Sequence, residues 1–139
     1  MSRAKAFLRR YQKLKRKILR LKETIEEIRA LAQPTSSWPS SDRVQSSHDP
    51  DKIGGITARV SDKETELLDL INDAMESMAE IIEVVDLVDG VDIQTVLEKR
   101  YIKGECFCTI ADDMSFSERW IHELHDRGLK QVEKILEGG

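Results

Sequence analysis

From Phe7 onward the apolar positions fall at Phe7, Tyr11, Leu14, Ile18, Leu21, Ile25, Ile28 and Ala32, with spacings of four and three in unbroken alternation. This heptad rhythm belongs to a helix that lays one stripe against a partner. It predicts a helix from about Ala4 to Ala32, roughly 43 Å long at ~1.5 Å per residue, with Lys and Arg on the outer faces. Gln33-Pro34 should close it, because proline disfavours helical backbone in the residue before it and has no amide to donate. A second stripe runs Leu67, Ile71, Ala74, Met78, Ile81, Val85 and Val88, widened by Leu68, Met75 and Ile82. Ser61-Asp62-Lys63-Glu64 has the form of a capping box at its start, and Asp89-Gly90 supplies a left-handed stop. Residues 34–60 hold all three prolines, six serines and Gly54-Gly55, too little apolar area to offset ordering entropy. They read as a flexible linker that Trp38, Val44 and Ile53 could pin to the helices.

The last third has a different rhythm. Asp92 can cap a short helix from Ile93 to about Ile102, with Val96, Leu97 and Tyr101 inward and Gly104 at its end. A second helix follows from Cys106 to Met114, then a break at Ser115-Phe116, then Ser117 as N-cap of a final helix to about Leu136. Ala111 takes the small position at which the two helices of a helix-turn-helix cross. Ile110, Met114, Phe116, Ile121 and Leu124 fall at its apolar offsets, and Leu129, Val132, Ile135 and Leu136 continue the inner face. Ser115 stands where glycine is usual, at a site that asks for left-handed backbone. The chain thus divides into a basic coiled-coil helix (1–33), the linker (34–60), an acidic helix (61–90) and a helix-turn-helix domain (91–139). The expected fold is all-α, a long helical hairpin or coiled coil followed by the C-terminal domain.

Composition agrees with that division. Of 139 residues 40% are apolar, 35% charged and 5% aromatic, a balance that favours helices over a β-sandwich. The net charge of −4 hides a segregation. Residues 1–33 hold eleven Lys and Arg against three acids, whereas residues 61–98 hold twelve acids against Lys63 alone. The basic helix could lie on phosphate, on an acidic membrane face or against the acidic helix, and the matched seams favour the last. Burying about fifteen apolar side chains at ~1.5–3 kcal/mol each outweighs exposed ion pairs of ~0.2–1 kcal/mol, so the seam should set the pairing while charge selects the partner. One hairpin alone makes a thin core, which makes a homodimer the natural expectation. No run reaches the ~18 apolar residues of a membrane span, and the N-terminus has no secretory core. A cytoplasmic protein with no membrane partner is expected. Cys106 and Cys108 are too close in sequence to staple a fold and read as buried or half-buried thiols.

The run Val96-Leu97-Glu98-Lys99-Arg100-Tyr101-Ile102-Lys103-Gly104, then Ile110-Ala111, Ser117 and Arg127-Gly128-Leu129, resembles the region-four helix-turn-helix of bacterial sigma factors. The likeness covers about residues 92–136. With the basic helix and Ser/Pro segment ahead of it, the chain is similar in layout to small phage and prophage regulators of the ArpU/RinA type. That resemblance implies a phage-encoded activator of late genes that binds double-stranded DNA and contacts RNA polymerase, in the cytoplasm of a bacterial host. By offset, the groove-facing residues would be Ser117, Glu118, Arg119, His122, Glu123 and Arg127, with Asp126 beside them. Glutamate can accept from the cytosine amino group, but two cations against three acids leave little phosphate attraction on this helix. Arg9, Arg10, Lys13, Lys15, Arg16 and Lys17 could add it from the N-terminal helix. Where sigma-like domains place a Ser/Thr and Glu capping pair, this chain has Cys106 and Thr109.

Other chemistry finds little footing. Cys106-x-Cys108 with His122-x-x-His125 has the wrong cysteine spacing for zinc, and His122 and His125 are expected on or near opposing sides of their helix, so no metal or other cofactor is expected. His48 sits in the linker without partners, and Trp120 is expected to pack under the turn. Neither a glycine-rich phosphate loop nor a nucleophile elbow occurs, so no enzyme is expected. The alternatives to a DNA-binding regulator are a phage DNA-packaging adaptor of the small-terminase kind and a helical protein-interaction module.

Overall fold

The computed structural model describes residues 2–32 and 50–138, the side chains of 50–53 apart, and the fold is all-α. Among the described residues, five helices follow in order: α1 (Arg3–Ala32), α2 (Pro50–Asp86), α3 (Val91–Tyr101), α4 (Phe107–Met114) and α5 (Glu118–Gly138). They form two compact units, Met1–Lys15 with Asn72–Gly139, and Arg16–Ile71.

The second helix begins at Pro50, not at the Ser61 capping box, so residues 50–60 are helical rather than linker. Proline suits the first helical position, where no amide is needed. Gly54 and Gly55 are tolerated at ~1 kcal/mol each, while Ile56 and Val60 keep one side half-buried. Ser61 lies mid-helix, where its carbonyl accepts the Thr65 hydroxyl at 3.1 Å. The expectations for Gln33-Pro34, Trp38, Val44, His48 and the Ile53 side chain lie outside the described residues.

In the Arg16–Ile71 unit, α1 buries Leu21 and Ile25, and Arg29 reaches Glu64 at 2.8 Å. The other unit holds two apolar clusters. One joins Ala4 and Leu8 of α1, Ile81 and Val85 of α2, Val88, Leu97 and Tyr101 of α3, and Val132 of α5. Arg10 pairs with Glu80 at 3.1 Å beside it. The second cluster is Val96, Ile110, Ala111, Ile121 and Leu124, with Met114 and Phe116 against it. The apolar offsets read for the last three helices are therefore inward-facing.

Two expectations about side chains are corrected. Leu68, Met75 and Ile82 do not widen the α2 seam; they are 62%, 64% and 37% exposed. Ala74 and Ser77 are buried in that stretch of α2 instead. Asp92 is not a cap, because α3 starts at Val91 behind Gly90, whose φ of 108° only glycine adopts cheaply. The turn is held instead by the Gln94 amide, which donates to the Val88 carbonyl at 2.9 Å.

Candidate nucleic-acid interface

The turn between α4 and α5 is built by three local devices. Cys106 caps α4, its sulfur accepting the Thr109 amide at 3.5 Å and lying 3.1 Å from the Thr109 hydroxyl. Ser115 ends α4 in the left-handed conformation (φ 58°, ψ 39°). The Ser117 hydroxyl accepts the Trp120 amide at 3.1 Å and so caps α5. Gly128 lets α5 cross α3 closely, since a Cβ there would sit 3.0 Å from Ile93 and 3.1 Å from Leu97.

With Ile121, Leu124 and Val132 turned inward, Ser117, Glu118, Arg119, His122, Glu123 and Arg127 are exposed. The first turns of α1 pack elsewhere on this helix. Ala4 is buried with Val132, and its amide donates to Glu133 at 2.9 Å. The first two turns of α5 thus keep an open outer face. On it, Arg127 sits 3.3 Å from Glu123 and lies over the Trp120 ring at 5.2 Å. Trp120 does not pack under the turn as expected; it is exposed, with that guanidinium over its ring. The helix N-terminus adds partial positive charge to this face, offset by Glu118 and Glu123.

His122 and His125 are on one side of α5 rather than opposing sides, as residues three apart on a helix must be. Both rings meet Phe107, His122 tilted at a centroid distance of 4.3 Å and His125 edge-on at 5.0 Å. His125 is 5% exposed and shares a 2.6 Å hydrogen bond with Tyr101 through Nε2. The phenol is the stronger acid and donates, which leaves the ring proton on Nδ1. Burial pushes His125 down to about 4, so the ring is neutral at pH 7, and burial raises the Tyr101 hydroxyl.

These two side chains floor a cleft of about 200 Å³ walled by Lys5 and Arg9 of α1, Arg100 of α3, and Phe107, His122, Asp126 and Leu129. Arg100 is held over the Phe107 ring at 4.3 Å and donates to the Glu105 carbonyl at 3.1 Å. Of the basic residues expected to help on α1, Arg9 alone lines this cleft. Arg10 is drawn to Glu80, Lys13 and Lys15 are exposed elsewhere in the same unit, and Arg16 and Lys17 belong to the other unit. Sequence reasoning missed Lys5 and Arg100. The four-residue spacing of Lys5 and Arg9 was a signal that both share one face of α1, whereas nothing in sequence brings Arg100 to them.

Cys106 and Cys108 are both exposed, not buried. One occupies the solvent-facing cap and the other the outer side of α4. The Thr109 side-chain hydrogen bond lowers the Cys106 thiol, while Asp112 raises that of Cys108. Comparison with family models, with curated proteins and with solved structures finds no match for the chain.

Proposed function

We propose that this protein binds double-stranded DNA through the outer face of α5 and regulates transcription. The observation that carries the reading is the open face from Ser117 to Arg127 on a helix whose inner side is locked by Ile121, Leu124 and Gly128. A rigid, capped helix with its N-terminal turns exposed is the element that fits a major groove. Arg119, His122 and Arg127 would carry polar contacts to bases and backbone, with Ser117, Glu118 and Glu123 at the helix tip and flank. The sigma-like run of residues supports the same role, in a phage-type regulator acting in a bacterial cytoplasm and contacting RNA polymerase. An electrophoretic shift of mixed-sequence genomic DNA at low salt tests it. A retarded complex that dissolves as salt rises is expected, and no complex at low salt would refute the reading.

A homodimer belongs to this proposal, since paired helices of this kind read sites in two halves. Exposed Met75 and Ile82, seven residues apart on α2, supply the heptad spacing that a second copy could cover. The same observation favours the second reading, a packaging adaptor assembling into a ring. No helix among the described residues is long and apolar enough to cross a membrane.

A further inference from the structure

Three features extend beyond the groove-facing residues: the exposed apolar line on α2, the two exposed thiols, and the cleft floored by Tyr101 and His125. Of these, the cleft gathers the most charged side chains. Lys5, Arg9 and Arg100 come from two helices far apart in sequence and converge on about 200 Å³, against one acid at the rim, Asp126. Arg100 is fixed by a carbonyl and a ring rather than by a carboxylate. The floor carries one ring nitrogen that Tyr101 does not bond. With Nε2 taken by Tyr101, His125 directs Nδ1 toward Asp126 at 3.8 Å, too far for a hydrogen bond. Ammonium and guanidinium groups around a small concavity match an oxyanion with several acceptor oxygens.

We propose that this cleft binds a phosphate group, and that when the adjacent face of α5 lies in a groove the phosphate is one of the DNA backbone. The second clause rests on the DNA-binding reading above; the first does not. The physical sense is a division of labour. α5 is poor in net positive charge, and backbone contacts that position a reading helix carry no sequence information, so they can come from α1 and α3 beside it. His122 and Asp126 belong both to the cleft wall and to the outer half of α5, which places the phosphate at the edge of the reading face.

The test uses the full chain, with inorganic phosphate and a mixed-sequence duplex as the two probes. Phosphate should shift the NMR signals of His125, Phe107 and Arg100, and the shifts should vanish in Lys5→Gln/Arg9→Gln. In duplex titrations that variant should bind several-fold more weakly at every sequence and lose about 1 from the slope of log affinity against log salt. Lys13→Gln should leave the slope unchanged. Asp126→Asn, which removes the only acid among the described residues of the wall, should bind phosphate several-fold more tightly, a gain that misfolding cannot imitate. Phosphate shifts in the cleft without any duplex binding would support the site with a free phosphorylated ligand and refute the groove reading. Duplex binding with an unchanged slope in Lys5→Gln/Arg9→Gln, and no phosphate shifts in the cleft, would overturn the site and leave the groove reading standing.

Discussion

Ser115 is the only non-glycine residue with positive φ among the described residues. Left-handed backbone costs an L-residue ~1–2 kcal/mol, while glycine at such a site gives back ~0.4–1 kcal/mol through the unfolded chain. Ser115→Gly is therefore expected to stabilise by about 0.5–1 kcal/mol in chemical denaturation, and a loss of stability would show that the hydroxyl does more than fill the turn. His125 gives a second prediction at this scale. Its folded pKa, pushed to about 4 by burial and by Arg100, Lys5 and His122 against the pull of Asp126, lies below the ordinary imidazole value of 6.5. Between those values the unfolded chain binds more protons, so the contribution is whole above pH ~6.5 and is lost as pH falls toward ~4, on the order of 3 kcal/mol in all. His125→Phe should flatten that stretch of the stability profile. An equal slope in the variant would mean that the carboxylates, not this ring, set it.

At the scale of elements, the cap of α4 rests on a sulfur, a weak acceptor. Cys106→Ser keeps the geometry with a better acceptor and should raise the melting temperature slightly. In the native chain Cys106 should alkylate before Cys108, since the thiolate is the reactive species and the two thiols are shifted in opposite directions. Peptide mass spectrometry after brief iodoacetamide treatment checks the order, and preferential labelling of Cys108 would contradict it. The helices themselves were largely legible. Four-and-three spacing located α1 and most of α2, and the Ser117 cap and inner offsets Ile110, Ile121 and Leu124 located the last two helices within a residue or two. The start of α2 was not legible, because Pro50 and the two glycines signal a loop locally while the helix they open is carried by contacts further along. Nor was the pairing of Tyr101 with His125, which depends on how α3 and α5 cross at Gly128 rather than on any local pattern. Leu68, Met75 and Ile82 misled for a related reason. Spacing shows that residues share a face but not which face meets a neighbour.

For the whole molecule, the all-α architecture follows from the seams, and the proposed function turns on which surfaces the packing leaves exposed. Met75 and Ile82 bear on assembly. Sedimentation equilibrium should give a dimer, with Met75→Glu/Ile82→Glu shifting it toward monomer; a ring of many copies would favour the packaging adaptor instead. The most direct measurement is a chemical-shift map of the full chain titrated with a mixed-sequence duplex at low salt. The expected result is a shift set centred on Ser117, Arg119, His122 and Arg127. Unperturbed signals there, whether or not the duplex binds elsewhere, would contradict the claim that the outer face of α5 meets DNA.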